Sequence, residues 1–482
     1  MTAVSKSHRK LLSKDAVLFI IILVEGYVVL ASELLSMRLL VSFVGSDTAI
    51  ISIIVSAVLM PLAFGYYAGG RFYKHRFKNS TAVQLRQVLI RNMLLSAVFL
   101  SLGLSYFCIE VFIAVLISIG ITSRFMLTTI YALFFLVVPV YLLGQTTPLV
   151  SNYFSKHNLS RTTGKMLFFS TFGSFFGATL TSLVLMHTLG VHHTATITIL
   201  LLTILVMLLS RRVFSLPLAV MILVLAFTAY INSDYLFSKF GYVSNNAYSL
   251  IRIDDVEAEK QYHSRLMVVN NSSASKYTTD PEKQFSYIQY INERIIHHLP
   301  KDRVHDILVI GAGGFSIGEY DTLNRYTYVD IDADLKEVTE KYLRKYELED
   351  NKEFVAQPAR SFLFSNTKKY DVIVLDAYSN FMSVPYQLVT VEYFEQVKSA
   401  LKLGGVMAAN IFSDPKFRDD WSVKIHNTLY HAFGPMDRHT VINFSPWDQQ
   451  SKPQCVIYVY YHNRQSDGIY TDNKNAYFFD KK

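Results

Sequence analysis

The chain has 482 residues, of which 51% are hydrophobic and only 17% charged, and its formal net charge is +8. So little charge on so apolar a chain points away from a wholly soluble protein and toward a membrane part. Nor does the positive charge mark a nucleic-acid binder: residues 1–231 hold 17 Lys and Arg against 5 Asp and Glu, whereas residues 232–482 hold 29 against 33, so the excess flanks apolar runs as it does beside membrane spans.

A helix that crosses the hydrocarbon core needs about 20 apolar residues. Seven runs qualify, near 16–44, 48–69, 92–121, 126–147, 166–189, 194–210 and 213–231. The first is not a signal peptide, because it is too long, carries Glu25, Glu33 and Arg38, and lacks a small-residue cleavage site. The third is long enough for a kinked helix or a re-entrant pair, which would raise the count to eight. Basic residues precede the first run (Lys6, Arg9, Lys10, Lys14) and fill the second loop (Arg71 to Arg91), the fourth (Lys156, Arg161, Lys165) and the sixth (Arg211, Arg212). The positive-inside rule therefore places the N-terminus in the cytoplasm, and seven spans would leave the C-terminal part outside it.

Polar groups inside the runs are few. Glu25, Glu33 and Arg38 share the first, where a buried charge costs about 2.5–3.5 kcal/mol. They form either an ion pair within the bundle or a membrane polar site for a cationic substrate, and Glu110 is open to the same two readings. Gly65-xxx-Gly69 and Gly173-xxx-Gly177 allow close helix approach. The polar groups of Gln145-Thr-Thr-Pro148 can satisfy carbonyls that the proline frees. His187 and the His192–His193 pair have no acid or cysteine near them in sequence, so no metal site is expected. Cys108 and Cys455 make no disulfide framework.

Beyond about residue 245 the pattern changes to short strands and amphipathic helices. Residues 250–280 read as β-hairpins. Strands follow at 307–310, 326–331, 353–356, 371–375 and 406–411, with helices at 333–347 and 390–402, the alternation of a parallel doubly wound sheet. The expected fold class is a multi-pass α-helical membrane domain (1–235) joined to an α/β Rossmann-like domain of methyltransferase type (301–482), with an N-terminal β-hairpin and helix region at 236–300. Trp421, Trp447 and Tyr458–Tyr461 read as core or edge strand.

Two motifs carry chemistry. In DILVIGAGGFSIG…YTYVDID, Gly311, Gly313 and Gly314 follow a buried strand, and Asp330, with Asp332 just beyond, ends the next strand. Glycines let the backbone turn against a nucleotide, and a strand-end acid can accept both ribose hydroxyls. A sulfur-linked nucleoside fits better than a dinucleotide, because the helix after the glycines is too short and irregular for a pyrophosphate grip. In VIVLDAYSN, Asp376 ends a central strand, where a carboxylate can take a proton from an attacking amine or hold an ammonium; it could equally cap the loop that follows.

These residues, with SRLMVVNNSSASKY…QFSYIQYI upstream and EGYVVLASELLSMRLL in the first run, resemble the spermidine synthase (polyamine aminopropyltransferase) family, specifically its members fused to a multi-helix membrane domain. The resemblance covers about 250–415. It implies that Asp330 binds the ribose of decarboxylated S-adenosylmethionine, that Asp376 helps deprotonate the amine, and that Tyr287 lines the amine channel. It implies no tightly bound cofactor, S-adenosylmethionine or its decarboxylated form as cosubstrate, a polyamine acceptor, and pairing of soluble domains into a homodimer. Partners are then the lipid bilayer and a small amine, with no nucleic acid, in a cell membrane of bacterial inner-membrane type. The departures concern the amine side. Gly314 stands where the family has an acid for the aminopropyl ammonium, Pro358 replaces an acid near the adenine, and Asn380, Ala274 and Ile288 replace further polar groups. Buried ammonium groups need paired carboxylates, so a non-catalytic nucleoside or polyamine sensor, and a transporter-like protein with an accessory domain, stand beside the aminopropyltransferase reading.

Overall fold

The computed structural model describes residues 14–76, 82–151, 159–210, 215–378, 384–441 and 454–462. The chain divides into two compact units, the first holding Met1–Asp254 and Met267–Ser273, the second Asp255–Leu266, Ala274–Tyr378 and Val384–Lys482.

Among the described residues of the first unit, 7 helices are long and apolar enough to cross a membrane: Ala16–Val44, Thr48–Arg71, Gln84–Gly103, Arg124–Ser151, Ser160–Thr188, Gly190–Leu209 and Leu216–Lys239. The third apolar run, long enough at 92–121 for a kinked helix or a re-entrant pair, holds parts of two helices. A helix over Ala82–Gly103 ends at an extended Ser105, and a shorter apolar helix follows over Tyr106–Ser118. Arg86 and Arg91 begin that longer helix instead of filling a loop, and Arg71 to Arg76 end the one before it. Helices thus run past the apolar stretch into the basic flank.

Both small-residue pairs act as expected. A Cβ on Gly173 would collide with the Leu23 carbonyl and one on Gly177 with the Tyr27 carbonyl. The helices Lys14–Val44 and Leu159–Leu180 therefore meet backbone to backbone, the contact that replaces hydrophobic driving force between apolar helices. Gly65 and Gly69 likewise face the Tyr141 carbonyl and the Pro148 ring. Some buried polar groups find partners on neighbouring helices. Tyr131 Oη donates to Gly103 O at 2.6 Å, and Asn92 Nδ2 donates to Gln145 Oε1 at 3.1 Å and to Leu142 O at 3.3 Å. Gln145 is thus itself a partner for the neighbouring helix.

Strands β1 (Tyr242–Asn245), β2 (Leu250–Asp255), β3 (Arg265–Val269) and β4 (Ser272–Tyr277) form a sheet in chain order. Asn270 and Asn271, at φ 48° and 62°, make the two-residue turn between β3 and β4, and Asn tolerates that left-handed backbone better than most residues.

The second unit is built on β5 (Asp306–Ile310), β6 (Arg325–Asp330), β7 (Lys352–Ala356), β8 (Tyr370–Leu375), β9 (Leu401–Ser413), β10 (Asp437–Val441) and β11 (Gln454–Tyr461), ordered β10-β11-β9-β8-β5-β6-β7. Strands β5 to β9 are parallel, and β11 and β10 add antiparallel neighbours at one side. Every residue of β5 and β8 is buried, which is why both read as continuous apolar runs. At their amino ends Asp306 pairs with Arg325 (3.0 Å), Lys368 (3.0 Å) and Lys402 (2.9 Å), and Asp371 with Lys402 (2.7 Å) and Arg303 (3.2 Å). Burial pushes both carboxyl groups up, but the lysines outweigh it and hold each below its ordinary value. Asn380 and Trp447 lie outside the described residues.

Replacing Gly173 with Leu should force the two helices apart at a cost of about 1–3 kcal/mol. The detergent-solubilised variant is expected to melt several degrees lower than the parent, whereas Gly164→Leu, with nothing within 4 Å of its Cβ position, should melt with it.

Candidate active site

The site begins with strand order. From β5 the chain steps outward through β6 and β7, then returns to β8 on the other side of β5. Open α/β sheets bind ligands at such a reversal, beyond the carboxyl ends of the strands. Ile310, the last residue of β5, pairs with Val329 on one side and Leu375 on the other. Asp330 and Asp376 each stand one residue further on, so they flank the glycine turn at the same rim.

Gly311 makes that turn at φ 92°, and a Cβ there would collide with the Asp376 carbonyl. Its N–H donates to Val329 O at 2.9 Å, and the Asp376 N–H donates to Ile310 O at 2.8 Å. From Gly311 to Asn324 the backbone forms turns with no helix, so no helix N-terminus is offered to a pyrophosphate.

Asp330 Oδ2 accepts from Ala312 N at 3.0 Å and Oδ1 from Asp332 N at 3.1 Å. The Ile331 N–H also bonds this carboxylate, which braces the loop and keeps acceptor capacity for a ribose hydroxyl. Burial pushes it up to about 6 against the pull of those backbone bonds. Asp332 is buried and its Oδ1 accepts from Asp334 N at 3.1 Å; that oxygen closes the turn before the Leu335–Val338 helix.

Asp376 is held at both oxygens. Tyr287 Oη donates to Oδ2 at 3.0 Å, and Asn410 Nδ2 donates to Oδ1 at 2.9 Å. Burial pushes Asp376 up to about 6, opposed by these two bonds, and burial with the Asp376 charge keeps Tyr287 protonated as a donor. Tyr287 reaches the acid from the Ser286–Ile291 helix. Asn410 comes from β9, next to Ala409, which pairs with Leu375. Behind it Tyr378 Oη donates to Asn410 O at 2.9 Å and accepts from Phe412 N at 2.8 Å. Asn410 and Tyr378 were not expected from sequence. The available signal was one amide in the apolar strand VMAANIF, placed at a carboxyl end.

Gly313 and Gly314 face Ser275. The Gly314 N–H donates to Ser275 Oγ at 2.7 Å, and a Cβ on Gly314 would collide with Leu343 and press on Ser275 at 2.9 Å. A side chain at 314 has no room.

The polar residues of the first helix are scattered. Arg38 Nε donates to Asn246 O at 2.8 Å, with Nη1 3.5 Å from Asn270 Oδ1. Glu25 lies 13 residues away on the same helix, about 20 Å at 1.5 Å per residue. Both Glu25 oxygens are buried with no hydrogen-bond partner among the described residues, and Glu33 is buried between them along the helix.

A glycine turn between two strand-end acids, at the reversal of a mostly parallel sheet, is the arrangement of a doubly wound, Rossmann-like α/β domain. Residues 289–442 match the spermine/spermidine synthase domain, so the chain carries a domain of that family. It is 29% identical over 147 residues to the polyamine aminopropyltransferase of Vibrio vulnificus, covering 29% of this chain and 48% of that protein. It is 27% identical over 196 residues to that of Pyrobaculum aerophilum, covering 35% and 66%. The chain thus spans about half to two thirds of the length of these relatives. Among solved structures, spermidine synthase from Thermotoga maritima aligns at 17% identity with a TM-score of 0.36, over 46% of this chain and 72% of that one.

Asp330 and Asp376 hold their protons to about pH 6 when folded, against about 3.9 for an unfolded aspartate. Folding therefore takes up protons between these values, and stability should fall by about 1–3 kcal/mol per group as pH rises through that window. Thermal melts from pH 4 to 7 are expected to show this fall, and Asp376→Asn should flatten the curve.

Proposed function

We propose that this chain is a membrane-bound transferase of the aminopropyltransferase type, which moves an alkyl group from a sulfonium nucleoside to an amine. The observation that carries the reading is Asp376, a half-buried carboxylate pushed up to about 6, held by Tyr287 and Asn410 across the glycine turn from Asp330. In this reading residues 1–235 form the membrane bundle, 236–300 the hairpin and helix segment, and 301–482 the nucleoside-binding part. Asp330 and the Gly311–Gly314 backbone hold the nucleoside, and Asp332 shapes the turn beside it.

The amine nitrogen attacks the carbon next to sulfur. A C–N bond forms, the C–S bond breaks, and sulfur keeps the electron pair, leaving a neutral thioether nucleoside. Asp376 accepts the proton that the acceptor nitrogen gives up in becoming the neutral nucleophilic amine, and its two hydrogen bonds fix the direction of its free lone pairs. The cosubstrate is S-adenosylmethionine or its decarboxylated form, used without a resident cofactor. The relatives' names bring a polyamine acceptor into this reading. The filled space at Gly314 supports a divergent amine side, because no acid can stand there for a cationic aminopropyl tail. The same observation favours a second reading, a sensor that binds the nucleoside without turnover. We place the protein in the cell membrane, with the lipid bilayer as partner. Charge counting over seven spans would put the second unit outside the cytoplasm, whereas sulfonium nucleosides are made in the cytosol; a reporter fused after residue 240 decides the side.

The test incubates purified protein in detergent with each nucleoside and a panel of diamines, and identifies the product by mass spectrometry. A thioether nucleoside is expected, with a rate that falls below pH about 6 as Asp376 gains its proton. Asp376→Asn should slow transfer by about 10²–10⁴-fold. Asn410→Leu removes a bond that favours the carboxylate, so the acid limb should move to higher pH. Nucleoside bound without product would replace the enzyme reading by the sensor.

A further inference from the structure

In the first unit, the chain brings together three metal-ligating side chains that sequence leaves far apart. His192 and His193 open the Gly190–Leu209 helix, and Asp234 opens the Asp234–Lys239 helix, where Ser233 Oγ accepts from Leu236 N. Neighbouring residues on a helix point about 100° apart, so consecutive imidazoles ordinarily diverge. Here the rings lie 4.2 Å apart between centroids, and each turns its Nε2 to the same carboxylate. His192 Nε2 is 2.9 Å from Asp234 Oδ1, His193 Nε2 is 3.2 Å from Oδ2, and all three ligand atoms lie within 4.8 Å of one another. The His192 ring stacks on Phe237 at 4.8 Å, and its side chain is 10% exposed, so one ligand is fixed in place. The Asp234 side chain is 80% exposed, which gives a cation a path from water.

We propose that His192, His193 and Asp234 bind a divalent transition metal of the zinc type. Two imidazoles and one carboxylate suit a borderline cation and disfavour calcium or magnesium, which take oxygen ligands. Zinc bonds of about 2.0–2.2 Å put tetrahedral ligands about 3.3 Å apart, so the observed separations need only small side-chain movements. Three protein ligands leave a position for water. The ionised Asp234 offsets the positive end of the Gly190–Leu209 helix, which alone would repel a cation. His192 Nδ1 has no hydrogen-bond partner among the described residues. Without a second group to raise its basicity, the site should bind at micromolar rather than nanomolar level. The bound ion would tie the starts of two helices to each other.

The full chain, purified in detergent and stripped with chelator, is titrated with zinc alone by calorimetry, and bound metal is counted after dialysis against low-micromolar zinc. The parent should hold one equivalent that Asp234→Asn and His193→Asn both lose, each with affinity weakened at least about tenfold. His187→Ala, which leaves the three ligands in place, should keep it. Both ligand variants alter exposed or half-exposed side chains, and unchanged gel-filtration and melting profiles show that they fold. X-ray absorption of the parent should report imidazole nitrogen around zinc. Absence of the equivalent in the parent, or its retention in both ligand variants, overturns the proposal.

Discussion

The arrangement of the candidate site depends on β5 being hydrogen-bonded on both sides at once, to β6 and to β8. Because Ile310 pairs with Val329 and with Leu375, the chain emerges from three strands at one level, and whatever follows each of them meets at one rim. A slip of one residue along either neighbour would turn every side chain of that strand to the opposite face. The side chains of β5 and β8 are buried on both faces, so a slip would misfit them against the close-packed layers on either side. Gly311 belongs to the same constraint, since the Asp376 carbonyl passes where its side chain would be.

Given that frame, the rim is sparing with charge. Asp330 satisfies the loop backbone and Asp376 is met by a phenol and an amide, neither of which carries charge. Among the described residues no lysine or arginine hydrogen-bonds either acid, and burial is what raises their proton affinity. Leu343 and Ser275 close the space next to Gly314 with apolar and neutral groups. A ligand seated here would meet its anionic contacts at Asp330 and Asp376.

Much of this was legible in the sequence, for identifiable reasons. Strands buried on both faces read as apolar runs, and the turn needed glycine where the chain is tightest, so β5 to β9, Gly311, Asp330 and Asp376 could be placed directly. The small-residue pairs announced the helix contacts, because no larger side chain fits between Gly173 and Leu23. What stayed hidden depended on distance along the chain or on a change of context. Asn410 sits in an apolar strand and gains meaning only when β9 lies beside β8. Ser275 meets Gly314 across 39 residues, and Asp234 meets the two histidines across 41 and 42. The third apolar run was placed too late because Arg86 and Arg91 looked like loop charges, whereas a helix continues through them. Arg38 looked like a partner for the glutamates of its own helix, yet a backbone carbonyl at Asn246 takes its guanidinium.

The two ends of the sheet also treat the same residue type in opposite ways. At the amino ends, Asp306 and Asp371 are wrapped in lysine and arginine and stay ionised below the ordinary range. At the carboxyl ends, Asp330 and Asp376 sit at about 6. A modest acidification would therefore discharge one edge and leave the other fully ionic, giving the domain an electrical polarity that switches at a single edge. The ionic girdle that anchors the strands would be untouched, so the field at the ligand edge can change while the scaffold beneath it stays clamped.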